Sequence, residues 1–325
     1  MKDNSERLIS LLRGQRVDQP PLWDPWFAMT GFLRERYEGD YLAMAEHLGH
    51  AAVPIGIVRT TVDCFDHDHL HSAGRGVMRH SRQRLDEPDP HWATQMKNAQ
   101  AGRAACHEVG VACWMTMKWS FDAIVSALGY EEFALACYDE PDRLAAVIDC
   151  MESRNQLAVE HVISKVKPDF VLFEGNCAYQ TGPMIDPSLM GQLCTDPTRR
   201  TLGRLADADI PAVIHTEGRI DDLIPMFIEF GFIGVQGCDP QANDLADLVD
   251  RFGGQIALCG NMDVSLLATG TPQEITQCTK AMLDIGRTCG RFAAGANTVV
   301  QDDTPVENYL AMVRAVTHYE DAMAA

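Results

Sequence analysis

The sequence predicts one α/β domain over residues 1–325, a (β/α)8 barrel of TIM type with an N-terminal helical and hairpin extension. Three observations carry that expectation. From about residue 93 on, helical patterns alternate with short apolar runs every roughly 25–40 residues, the signature of parallel strands joined by crossover helices. The runs number roughly eight, which closes a barrel. No GxGxxG or GxxxxGK[ST] loop is present to mark a dinucleotide or NTP fold.

In chain order, residues 5–13 pattern as a short helix, and Gly14 to Pro21 forms a breaker-rich turn. Leu22-Trp23-Asp24-Pro25-Trp26-Phe27 is extended and aromatic, either core packing or the wall of a pocket for a flat apolar ligand. Residues 40–50 read as helix and 51–58 as strand. His67, His69 and His71 alternate, which suits a metal-binding strand face or an exposed hairpin. Arg79 to Pro90 reads as a hairpin or an excursion over the barrel. Helices are then expected at 95–109, 121–138, 141–166, 187–207, 219–230, 242–252, 272–288 and 305–323. Strands are expected at 112–115, 170–173, 212–214, 232–235, 255–258 and 291–294.

A formal net charge of −19 argues against nucleic-acid binding, which needs basic surface to neutralise phosphates. Eleven cysteines without a CxxC pair suit reduced, mostly buried thiols. No apolar run reaches membrane-spanning length and the N-terminus lacks a signal-peptide core, so a cytoplasmic location is expected.

Barrels of this kind place their chemistry at the C-terminal strand ends. The run Ala212-Val213-Ile214 ends in His215-Thr216-Glu217-Gly218. Side chains two apart on a strand share a face, so His215 and Glu217 converge where Gly218 lets the chain turn. Together they form a metal-ligand pair or a plain hydrogen-bonded pair. The same rim collects Glu174, Asn176, Cys177, Gln236, Cys238, Asp239, Cys259, Asn261 and Asn297. The order of preference for metal ligation is His215 and Glu217, then Glu174, Cys238 and Cys177. Glu174, Asn261 and Asn297 are the catalytic candidates, and Trp23, Trp26, Phe27 and Trp119 the candidates to line a substrate pocket.

Cys259-Gly260-Asn261-Met262-Asp263, the segment Leu266 to Ile275, Asp303-Thr304-Pro305-Val306-Glu307-Asn308 and Gly182 to Met190 resemble the uroporphyrinogen decarboxylase superfamily, which includes cobalamin-dependent methyltransferases. The opening Arg7 to Pro21 is also similar. The resemblance implies the same (β/α)8 fold and suggests a homodimer. The decarboxylases carry an arginine-rich N-terminal motif, whereas Trp23 to Gly31 holds no arginine and the next is Arg34. Their histidine before the final Thr-Pro motif is also missing here, among Gly295-Ala296-Asn297-Thr298.

The methyltransferase branch holds zinc on a His-x-Cys pair and a distant cysteine. Here the pair is His215-Thr216-Glu217 and the distant cysteine is absent, so the resemblance implies a variant zinc site with a further ligand from elsewhere, Cys238 being the candidate. Carboxylate and imidazole ligands leave zinc harder than thiolates do, which suits polarising an ether-type methyl donor. The expectation is a zinc-dependent methyltransferase that demethylates a small methoxylated donor, aromatic donors included. The acceptor would be cobalamin carried by a separate corrinoid protein. The alternatives are a metal-independent lyase of the decarboxylase type and a non-catalytic barrel that binds a corrinoid or tetrapyrrole.

Overall fold

The computed structural model describes residues 3–58 and 92–319. His67, His69, His71 and the Arg79–Pro90 segment lie outside the described residues. Seven parallel strands form one curled sheet: β1 (Ala52–Val58), β2 (Ala112–Lys118), β3 (Phe170–Glu174), β6 (Ala212–His215), β7 (Gly234–Gly237), β8 (Ala257–Met262) and β9 (Phe292–Ala296), in that order. A short hairpin, β4 (Ala178–Tyr179) with β5 (Gly182–Pro183), follows β3.

The stretch around Leu22 closes the barrel. Leu22 bridges His50 on one side and Ala294 on the other, both parallel. Ala51 N donates to Leu22 O, and Trp23 N to Ala294 O. The prolines at 20, 21 and 25 lack N–H donors, which keeps this eighth strand to a few residues. Gly295 is required where the seam is tightest, because a Cβ there would lie 2.2 Å from Trp23 O. Buried Asp24 braces the seam, accepting from Ala296 N at 2.6 Å and from the Tyr309 hydroxyl at 3.0 Å. That hydroxyl also lies 2.7 Å from His50 Nε2.

Side chains alternate in and out along each strand. Trp114, Phe170, Leu172, Val213, Ala257, Cys259, Ala293 and Trp23 fill the interior. Helix α1 (Asn4–Leu12) sets Leu8, Leu11 and Leu12 on one stripe and buries them against that interior, plugging the N-terminal end. The barrel is therefore closed below, and its polar strand ends face the other way.

The strand–helix rhythm follows the sequence expectation, with local differences. The helix expected at 121–138 divides into Ser120–Leu128 and Tyr130–Asp139 at Gly129, whose φ is +79°. The one expected at 219–230 begins only at Ile224. Strands β8 and β9 run later than the apolar runs suggested, so Cys259 and Asn261 lie within β8 rather than after it. No described helix is long and apolar enough to cross a membrane.

Candidate active site at the barrel mouth

The register of four strands aligns Lys118 with Glu174, Glu174 with His215, and His215 with Gln236, each at or next to its strand's C-terminal end. Leu172 and Val213, two residues earlier, point into the barrel, so Glu174 and His215 do as well. The row forms the floor of the mouth.

Gln236 orients His215. It is fully buried, and its Nε2 donates to the carbonyls of Ala296 at 3.1 Å and Asn297 at 3.4 Å. Those bonds assign the amide's two ends, so Oε1 is the end that meets His215 Nδ1, at 2.5 Å. Nδ1 must then carry the proton, and the Nε2 lone pair is left facing Glu217. Burial holds the His215 pKa below the ordinary imidazole value, keeping the ring neutral. The indole of Trp26 meets the ring edge-on at 4.3 Å. A fixed tautomer with a hydrogen-bonded distal nitrogen is the arrangement found on metal-ligating histidines.

Glu217 Oε1 lies 3.9 Å from His215 Nε2 and accepts from Thr298 Oγ1 at 2.5 Å. Gly218 turns the chain away with φ +80°, and a Cβ there would sit 2.5 Å from Tyr179 O, so the loop is packed directly on the hairpin. Glu174 is raised above the usual carboxylate pKa by burial, partly offset by Lys118 and reinforced by Asp122. Lys118 is held by Asp122 at 3.1 Å.

The remaining candidates are placed differently. Cys238 is not brought to His215 and Glu217. Gly237, at φ +129°, breaks the strand's alternation just before it, and Cys238 is buried in the main hydrophobic core with Cys289 as a thiol neighbour. Cys177 is buried too, its Sγ 3.5 Å from Thr216 Oγ1 and its pKa pushed up to about 12 by burial. Asn261, at φ +83°, donates to Cys238 O at 2.7 Å, and Asn297 Oδ1 accepts from Val264 N at 3.1 Å. Both side chains therefore hold strand-end loops in shape. Of the aromatic candidates only Trp26 faces the mouth. Trp23 is interior core against Trp114 and Phe170, and Phe27 packs on Tyr41 and Tyr309. Trp119 is fully buried behind the sheet, donating to Thr198 Oγ1 at 2.9 Å among Phe121, Phe227 and Phe230.

Sequence reasoning placed Gln236 on the rim without giving it a role, and did not select Lys118, Asp122 or Thr298 as partners. The available signal was Gln236 itself, a polar residue closing an apolar strand.

The family description "Uroporphyrinogen decarboxylase (URO-D)" matches residues 83–319. No protein of curated function matches the chain. Among solved structures, a methyltransferase from Methanosarcina mazei superposes with a TM-score of 0.74 at 16% identity, covering 98% of this chain and 100% of that one. A xylose isomerase domain protein from Alicyclobacillus acidocaldarius superposes at 0.39 with 11% identity, covering 87% of this chain and 92% of that one. A family 2 AP endonuclease from Brucella melitensis reaches 0.39 with 10% identity, covering 86% and 96%.

Proposed function

The chain belongs to the uroporphyrinogen decarboxylase family, and on that premise we propose that it is a methyltransferase. It moves a methyl group from a small methoxylated donor to the Co(I) centre of a corrinoid carried by a separate protein. The observation that carries this reading is the His215 Nε2 lone pair, aimed by Gln236 toward the Glu217 carboxylate at the mouth. The likeness to the Methanosarcina methyltransferase supports the fold, and the activity rests on these residues.

The pair fits a zinc ion. Two zinc bonds of about 2.0–2.1 Å at a tetrahedral angle set their donors about 3.3 Å apart. The 3.9 Å between His215 Nε2 and Glu217 Oε1 closes to that by rotation of the half-exposed glutamate. His215 and Glu217 would supply two of zinc's donors, a further ligand and the substrate would take the other positions, and zinc there would supply Lewis acidity to the donor oxygen.

The chain's own groups do the rest. Trp26 offers a flat apolar wall beside His215. In the transfer the methyl C–O bond breaks with its electron pair staying on oxygen. Cobalt supplies the pair for the new Co–C bond, passing from Co(I) to Co(III). Glu174, whose burial favours the protonated form, gives its proton to the departing oxygen. A porphyrinogen-type polycarboxylate would find poor purchase here, because the row Lys118, Glu174, His215, Gln236 offers one cation, already paired with Asp122.

The test mixes zinc-replete protein with a methoxylated benzoate and reduced cobalamin and follows methylcobalamin by absorbance. Turnover that falls at least ~100-fold in His215→Ala, with circular dichroism unchanged, is expected for loss of a ligand. Failure of the zinc-replete protein to methylate Co(I) across a panel of methoxylated donors, or CO2 release from a porphyrinogen, would overturn the proposal.

A further inference from the structure

A second constellation sits at the opposite, N-terminal end of the barrel. The helix Trp92–Glu108 ends there with Cys106 and His107, the chain turns through Gly110, and β2 begins with Ala112 and Cys113. Asp169 stands just before β3. His107 Nε2 lies 3.0 Å from Asp169 Oδ2, and single donor atoms of His107, Cys113 and Asp169 all fall within 4.8 Å of one another. It is the only such set of three His, Cys, Asp or Glu among the described residues. Cys106, the buried residue before His107, lies outside this set of three.

The backbone holds these groups together before any ion arrives. Cys113 N donates to Asp169 Oδ2 at 2.8 Å, and Asp169 N donates to Cys113 O at 2.9 Å. Val111 N returns to Cys106 O at 2.9 Å, fixing the turn between His107 and Cys113. The site opens on one side only. Cys106 and Cys113 are buried, whereas the His107 side chain is 39% exposed. It faces a cavity of about 620 Å³ lined also by Asp3, Glu6 and Arg13, and Arg13 is paired with Asp209, so the lining carboxylates favour a cation.

We propose that His107, Cys113 and Asp169 bind one zinc ion, clasping the end of the helix Trp92–Glu108 to the starts of β2 and β3. One sulfur, one imidazole nitrogen and one carboxylate oxygen supply three of a tetrahedral zinc ion's four donors, and the fourth position opens toward the cavity. Soft sulfur donors select zinc over magnesium or calcium. Zinc bonds of about 2.0–2.3 Å separate neighbouring donors by about 3.3–3.8 Å. The three donors, all within 4.8 Å of one another, need to close by about 1 Å at most to reach that range. The position also suits a stabilising role, since the N-terminal face of such barrels is the end away from the chemistry.

The test is built to tell this site from the mouth. The mouth pair has no thiol, so thiolate-to-Co(II) charge-transfer absorption reports the base alone. Reduced, metal-free full-length protein is titrated with Co(II), then with Zn(II). One equivalent should give the charge-transfer band in wild type and in His215→Ala, bleached by zinc. Cys113→Ser should lose the band, and Asp169→Asn should weaken cobalt affinity at least ~10-fold. No band in reduced wild-type protein would overturn the proposal even if a variant fails to fold. So would a band that survives Cys113→Ser. None of these outcomes bears on methyl transfer, which His215→Ala tests separately.

Discussion

The barrel carries a histidine at each end, in opposite surroundings. His215 at the mouth has a side chain 6% exposed and faces the neutral amide of Gln236, whereas His107 at the base is 39% exposed and faces the carboxylate of Asp169. The mouth is built from strand register, in which each side chain's direction is set by its neighbours across the sheet. The base is built from a helix end, a turn and two strand starts. The lesson is that the partner on one nitrogen decides what the other can do. A buried neutral acceptor fixes the tautomer and leaves a bare lone pair, while a carboxylate beside a thiol makes a compact donor cluster.

The largest expected effect comes from removing what holds the mouth in shape. Asp24→Ala leaves Ala296 N–H and the Tyr309 hydroxyl without their acceptor in the buried seam. Each orphaned group costs about 1–3 kcal/mol, so urea unfolding should show a loss of about 2–6 kcal/mol. The base constellation should keep its metal affinity under native conditions, because Asp24 touches none of it. A loss of cobalt binding equal to the loss of stability would mean that the two ends are not independent.

Gln236 offers a sharper cut. Gln236→Leu removes the acceptor on His215 Nδ1 and should lower methyl transfer about 10–100-fold, as loss of a partner behind a ligand does. Gln236→Glu makes the mouth resemble the base by putting a carboxylate on the ring. The His215 pKa, now lowered by burial, should move upward in a proton NMR titration. No upward movement would mean that Gln236 does not bear on the ring as the geometry indicates.

How much of this was legible beforehand differs between residues for physical reasons. The alternation of helical and apolar periods survives in one dimension, so the barrel and the placement of His215 and Glu217 at a strand end could be read. Gln236 had no visible role because its contact depends on which residue of β7 lies opposite His215, and register is a property of two strands. Cys238 was misplaced because Gly237 takes a φ open mainly to glycine and resets the alternation. Trp23 and Trp119 show that an aromatic cluster announces burial, not which side of a sheet is buried. The closing strand was read as an extended aromatic stretch. Its role needed the two neighbours, His50 and Ala294, that bridge Leu22.

Acid should separate the two ends by pH. Burial holds His215 and His50 below the ordinary imidazole pKa, so in that window the unfolded chain binds more protons than the folded one. Stability is then highest above about pH 6.5 and falls as pH drops through that value. His215→Gln should flatten part of this slope in urea titrations at pH 7.5 through about 5. An unchanged slope would remove His215 from the account.

The smallest effect is expected at the plug. Arg7 of α1 grips Asp18 through two bonds, Nε to Oδ1 at 3.0 Å and Nη2 to Oδ2 at 2.9 Å, and holds the Asp18 pKa down at about 2. A depressed carboxylate contributes stability above its unfolded value of 3.8 and loses it as pH falls toward 2, well below the histidine window. The Asp18 side chain is 47% exposed, so solvent screening keeps Asp18→Asn to about 1 kcal/mol or less at neutral pH. The variant should leave the slope near pH 6 untouched and flatten only the acid limb. A change in the upper slope would mean that the plug and the buried histidines titrate as one unit, and the separation of the two ends would have to be abandoned.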